Sequence, residues 1–123
     1  MITEDYCSFE LSKLLKEKGF DWDCRCYYFS ENNERYYSNE VPRNNHKLDA
    51  DLACPTHQMV MKWLREKWIF IEIPFSVTTN GEPCYNFGIL SRSAQWVYRH
   101  KQFFSTYEEA VEAAIKYSLE NLI

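Results

Sequence analysis

Ile69-Phe-Ile-Glu-Ile-Pro-Phe-Ser-Val-Thr-Thr-Asn-Gly-Glu-Pro-Cys-Tyr-Asn-Phe-Gly-Ile-Leu90 carries the clearest fold signal in the chain. Ile69, Ile71, Ile73, Phe75 and Val77 alternate with Phe70, Glu72, Pro74, Ser76 and Thr78. A period of two predicts a strand with one buried face and one wetter face. Asn80-Gly81 is a strong hairpin turn, and the return strand 84–90 repeats the alternation through Tyr85, Phe87 and Ile89. A two-residue turn would pair Thr79 with Glu82 and set odd positions against even ones. The isoleucines would then face away from Tyr85 and Phe87. A common apolar face therefore requires an odd loop or a bulge. Pro74 has no N–H to give a ladder, so the strand is expected to be an edge, or bulged, at that point.

Helices flank this hairpin. A first is predicted from Ser8 to Lys18, with Ser8 as cap, a stripe of Leu11, Leu14 and Leu15, and Gly19 as the left-handed stop. A second begins near Pro55 and Thr56 and ends near Lys67, with Val60, Trp63, Leu64 and Lys67 on one face. A third follows the capping box Thr106-Tyr-Glu-Glu109, with Tyr107, Val111, Ala114, Ile115, Ser118 and Leu122 on one face. Cys24–Phe29 and Glu34–Ser38 read as strands joined by a polar turn at 30–33, and Gln95–Lys101 as another. The stretch 39–53, polar and interrupted by Pro42, reads as irregular.

A shift of 49 residues lays Leu11-Ser-Lys-Leu-Leu-Lys-Glu-Lys18 on Val60-Met-Lys-Trp-Leu-Arg-Glu-Lys67. The expected plan is therefore αββ–αββ–α in the α+β class. A largely antiparallel sheet of four to five strands would pack against the helices. With 123 residues, the chain suits a single domain over 1–123.

Lys13-Leu-Leu-Lys-Glu-Lys-Gly-Phe20, Cys54-Pro-Thr-His-Gln-Met-Val-Met-Lys-Trp-Leu-Arg-Glu-Lys67 and Thr106-Tyr-Glu-Glu-Ala-Val-Glu-Ala-Ala-Ile115 together resemble uncharacterised small proteins carried by phages, prophages and mobile elements of gut Bacteroidetes. The resemblance spans most of the chain outside 39–53. It implies a cytoplasmic protein encoded by a mobile element. It implies no activity and transfers no functional residue.

Composition narrows the function classes. The net charge of −4 argues against coating nucleic acid or an anionic membrane through the whole surface. No apolar run reaches the roughly 18 residues of a membrane span, and the acidic N-terminus is unlike a signal peptide. The five cysteines are odd in number and lack a C-x-x-C pair, which predicts reduced thiols in the cytoplasm. Cys24-Arg-Cys26 puts two thiols on one strand face, without two more ligands at metal spacing. Cys54-Pro-Thr-His57 sets a thiol and an imidazole near a helix start, without a legible orienting group or oxyanion donors. Gly19, Gly81 and Gly88 are too scattered for a phosphate loop. These features predict no enzyme, no cofactor and no metal site.

What remains is surface. No Asp or Glu occurs between Pro83 and Tyr107, a stretch that holds Arg92, Trp96, Tyr98, Arg99, His100 and Lys101. Trp96, Tyr98, Arg99, His100 and Lys101 form the candidate interaction surface. The first expectation is a small accessory module binding an unknown protein, a second copy of itself among the candidates, through an edge strand or aromatic patch. The alternative is a nucleic-acid-associated regulator that stacks bases on the 92–103 stretch.

Overall fold

The computed structural model describes residues 5–29, 34–38 and 51–123. The fold class is α+β, with three helices and eight short strands among these residues. The chain divides into two compact units, one ending at His57 and the other spanning Gln58–Leu122.

In the first unit α1 (Phe9–Glu17) begins at Ser8, whose Oγ accepts from the Leu11 N–H at 3.1 Å. It ends in a left-handed stop at Gly19, φ 89°. The Gly19 N–H donates to the Lys16 carbonyl and the Phe20 N–H to the Leu15 carbonyl, the paired bonds of a Schellman end. Strands β1 (Cys26–Phe29), β2 (Arg35–Tyr37) and β3 (Asp51–Ala53) form an antiparallel sheet in the order β2-β1-β3. Strand β3 corrects the expectation that 39–53 is wholly irregular. Its three residues show no alternation of their own. They become a strand by pairing with Tyr27, Tyr28 and Phe29, which buries Leu52 and Ala53. The expected turn at 30–33 and the segment 39–50 lie outside the described residues.

The second unit begins with α2 (His57–Glu66), whose Val60, Trp63 and Leu64 are buried as the periodicity requires. Beyond it run β4 (Phe70–Glu72), β5 (Phe75–Val77), β6 (Pro83–Tyr85), β7 (Gly88–Leu90), β8 (Trp96–Arg99) and α3 (Tyr107–Asn121). The expected odd loop is present. Thr78 N–H bonds Glu82 O at 2.8 Å and Gly81 N–H bonds Thr78 O at 2.9 Å, so Thr79, Asn80 and Gly81 form a three-residue loop. Gly81 takes φ 81°. Odd therefore faces odd: Ile71 pairs with Ile89, Phe75 with Tyr85.

The ladder stops on either side of Pro74. Pairs β4–β7 and β5–β6 keep one register but belong to separate sheets, because Pro74 offers no N–H and only its carbonyl bonds across, to Asn86 N–H at 3.1 Å. Among the described residues, the expected sheet of four to five strands is thus replaced by two three-stranded sheets and the two-stranded arm β5–β6. The arm exposes Phe75 and Val77.

Helix α3 supplies the cover for the β4-β7-β8 sheet. Tyr98 stacks on Tyr117 with ring centroids 3.8 Å apart, and Phe87 lies against the same ring. Ala110, Val111, Ala114, Ile115, Ser118 and Leu119 are buried. The capping box forms with a variation. Glu109 N–H donates to Thr106 Oγ1 at 3.1 Å, while the Glu109 carboxylate accepts from the hydroxyls of Ser105 and Thr106. No helix among the described residues is long and apolar enough to cross a membrane.

Candidate functional site

Two irregularities decide what the β4-β7-β8 sheet shows on its outer face. The first is a bulge in β8. Leu90 pairs with Trp96, but Ile89 pairs with Tyr98 and Gly88 with Arg99, so Val97 is the extra residue. Trp96 and Tyr98 are two positions apart and would share a face in a regular strand. The bulge sends Tyr98 toward α3 and leaves Trp96 on the outer side with Arg99. The Trp96 ring lies across Gly88. A Cβ on Gly88 would sit 2.9 Å from Cε3, closer than packed atoms come, and 3.2 Å from Cη2. Gly88 is therefore the seat of the indole, and the ring covers backbone that no side chain of β7 shields. The Arg99 guanidinium stands 4.9 Å from the Trp96 ring centroid.

The second irregularity is the end of α2. Trp68 N–H donates to Arg65 O and Ile69 N–H to Leu64 O, the same two bonds that close α1. Trp68 occupies the place of Gly19 at φ 64°. The left-handed region costs an L-residue roughly 1–2 kcal/mol, which is why glycine is the usual occupant. Trp68 gains little burial in return, since 53% of it stays exposed. Arg92, in the turn that joins β7 to β8, holds its guanidinium 4.3 Å from the Trp68 centroid.

The outer face thus reads in rows: Phe70, Leu90 and Trp96, then Glu72, Gly88 and Arg99, with the Trp68 ring beside that of Phe70. Trp96 is 47% exposed. A cleft of about 330 Å³ opens where Pro74 interrupts the hairpin, lined by Glu72, Ile73, Pro74, Asn86, Phe87, Gly88, Leu90, Trp96, Arg99 and His100. Neither Arg92 nor Arg99 pairs with a carboxylate among the described residues; each guanidinium is held by its tryptophan.

The five residues singled out in the sequence are divided between two environments. Trp96 and Arg99 lie on the outer face. Tyr98 and His100 turn inward, where the Tyr98 hydroxyl and His100 Nδ1 are 2.9 Å apart and His100 stacks on Phe87 at 4.6 Å. They order the interior beneath the face. Lys101 follows the strand and is exposed. Trp68 and Phe70 escaped the sequence reading. A signal was present: extending the 49-residue alignment by one position sets Trp68 against the helix-stopping Gly19.

The thiols of the first unit form a buried structural cluster. Cys26, Tyr28, Leu52 and Cys54 pack together with Tyr6 and Phe9. Cys54 Sγ donates to the Cys7 carbonyl at 3.4 Å, and the Tyr28 hydroxyl donates to the same oxygen at 2.6 Å. Burial, then the neighbouring Cys26, pushes the Cys54 thiol up to about 12. Burial, then Asp23, does the same for Cys24. A nucleophile or metal ligand at neutral pH needs the thiolate, so the environment of Cys54 opposes the chemistry that its proximity to a helix start suggested. All five cysteines are reduced. No cluster of three or more metal-ligating side chains occurs among the described residues.

No protein-family profile, curated protein or solved structure matches the chain.

Proposed function

We propose that this chain is a non-catalytic protein-interaction module, a cytoplasmic accessory protein of the mobile-element type, and that the outer face of the β4-β7-β8 sheet is its docking surface. One observation carries the reading. Two exposed tryptophans, each under an arginine, share one sheet face, and one of them is held in a backbone conformation that ordinarily belongs to glycine. Tryptophan and arginine dominate the energetics of protein interfaces. An indole seated on Gly88 or locked at the end of α2 has surrendered its rotamer freedom before binding. Backbone strain spent on an exposed side chain favours a role for that side chain beyond folding.

Nucleic acid is the weaker candidate. Each indole already has a guanidinium against its ring, which competes with base stacking. Glu72 sits in the row of Arg99, where it would repel a phosphate. Three cations in the stretch make a small electrostatic footprint.

The test is affinity capture with the full chain as bait, after nuclease treatment, compared with Trp68→Ala and Trp96→Ala combined. The reading expects proteins that the native chain retains and the double variant releases. An identical retained set for both baits would refute it, and retention abolished by nuclease would transfer the face to the nucleic-acid alternative.

A further inference from the structure

Apart from the docking face, and without resting on it, we propose that the outer edge of β5 is a self-association edge. A second copy of this chain lays its own β5 against it, antiparallel, about a two-fold axis at Ser76.

The hairpin decides which backbone groups are free. Phe75 pairs with Tyr85, Ser76 with Cys84 and Val77 with Pro83. The ladder continues by one bond at each end, Thr78 N–H to Glu82 O and Asn86 N–H to Pro74 O. Bonded and non-bonded pairs alternate along an antiparallel ladder. Even positions therefore bond inward, and the N–H and C=O groups of Phe75 and Val77 point away from β6. Among the described residues no other strand pairs with β5, and all three of its residues are exposed. The opposite edge of the arm is closed. Tyr85 and Phe104 exchange both backbone bonds, at 2.8 and 2.7 Å, and Pro83 has no N–H to offer.

An exposed edge is ordinarily guarded by a charge, a bulge or a proline whose missing N–H faces outward. The outer edge of β5 has none of these. Charged residues make up 26% of the chain, yet none falls between Glu72 and Glu82. Pro74 is no guard, because it belongs to the inward-bonding set: its carbonyl meets Asn86 N–H.

Self-complementarity selects the occupant. Pairing about Ser76, the middle of β5, sets Phe75 against Val77 of the second copy and Val77 against its Phe75. Both are doubly bonded pairs, so every outward group of the strand is used. Pro74 falls opposite Thr78 of the second copy in a non-bonded pair, where the missing N–H costs nothing. With no charge in the paired stretch of either copy, no like charges meet. Side chains fit as well. The rings of Tyr107, Tyr85 and Phe75 form a row, with centroids 6.0 and 5.8 Å apart, that ends on a Phe75 left 62% exposed. Val77 of the second copy, 53% exposed in the single chain, extends that row across the axis. The arm, marginal as a lone pair of strands, becomes half of a four-stranded sheet. A two-fold contact uses one patch on both copies, so association closes at a dimer.

Sedimentation velocity on the full chain, up to about 1 mM because the interface is small, should show a mean mass rising from one chain toward two and no further. Val77→Lys should weaken the dimer by at least about tenfold, since it plants a charge on the edge of both copies. Val77→Thr keeps the branched shape and should keep the dimer. Ser76→Cys supplies a second readout. Across a non-bonded pair the two Cα atoms stand about 4.5 Å apart, within disulfide reach. Oxidised glutathione should therefore link Ser76→Cys chains covalently, and Thr79→Cys chains far more slowly. A native chain monomeric throughout, growth beyond two chains, indifference to Val77→Lys, or equal cross-linking at both positions overturns the proposal. Self-association lost with Trp68→Ala and Trp96→Ala combined but kept by Val77→Lys moves the second copy to the outer face and overturns it equally.

Discussion

Replacing Trp68 by glycine and by alanine separates the cost of its backbone from the worth of its side chain. Both variants lose the indole, its contact with Phe70 and its stack under Arg92. They differ in that glycine accepts φ 64° freely, whereas alanine keeps a Cβ pressed toward the following carbonyl. The left-handed conformation costs a non-glycine residue about 1–2 kcal/mol. Glycine gives back about 0.4–1 kcal/mol through the larger entropy of its unfolded chain. Trp68→Gly should therefore be more stable than Trp68→Ala by about 0.5–1 kcal/mol. Gly19 supplies the control. It closes α1 with the same pair of hydrogen bonds at φ 89°, and a methyl group there would meet nothing within 4 Å. Gly19→Ala should lose about the same amount with no change in side-chain contacts. Urea unfolding followed by far-ultraviolet circular dichroism, with a common m-value, reads both differences. Alanine as stable as glycine at position 68, alongside the expected loss at position 19, would refute the reasoning: Trp68 would then not be left-handed, and its indole would not be pre-positioned. The same pair bears on function. Trp68→Gly should retain stability better than Trp68→Ala yet lose docking to the same extent.

Gly88→Ala should cost about 1–3 kcal/mol by forcing the Trp96 ring off its seat. In a Trp96→Ala background the same change should be nearly neutral, and a double-mutant cycle without coupling would dismiss the seat. Ser12 Oγ is buried and has no hydrogen-bond partner among the described residues. Ser12→Ala should therefore leave stability unchanged or raise it by up to about 1 kcal/mol, and a loss in thermal unfolding would count against this. Stability should also decline in alkali. Cys24 and Cys54 stay protonated in the native state up to about 12, while unfolded thiols ionise near 8.5 to 9. Between these values the native state binds more protons than the unfolded one, so stability is intact below about 9 and falls as pH rises, by about 1.4 kcal/mol per pH unit for each thiol. Denaturant midpoints at pH 8, 9 and 10 measure the slope, and a flat profile would contradict it. At neutral pH, iodoacetamide should label the half-buried Cys84 before the buried Cys24 and Cys54.

Much of the local structure was legible because local physics writes it. Ser8 and Thr106 cap helices through bonds to an N–H three residues on, which needs only the side chain and the first turn. Parity left two outcomes, an odd loop or a bulge, as ways to put Ile71, Ile89 and Tyr85 on one side, and the loop at 79–81 is the first of them. Strand β3 was illegible because three residues with no pattern become a strand only through their partners in β1. The candidate site was half legible. Trp96 and Arg99 stand out by residue type, but Tyr98 and His100 share that signature and turn inward, and Trp68 was hidden by its place in a helix stop.

The sequence by itself determined the α+β class, the three helices, the hairpin and an irregularity at Pro74. Each rests on interactions within a few residues or on a backbone group that proline lacks. Only the tertiary structure decided how the strands divide into sheets and which aromatics face outward. The insertion of Val97 between the pairs Leu90–Trp96 and Ile89–Tyr98 is a relation between two strands, invisible in either alone. It reverses the facing of every side chain beyond it, and so brings Trp96 and Arg99 together on the face of Phe70 and Leu90.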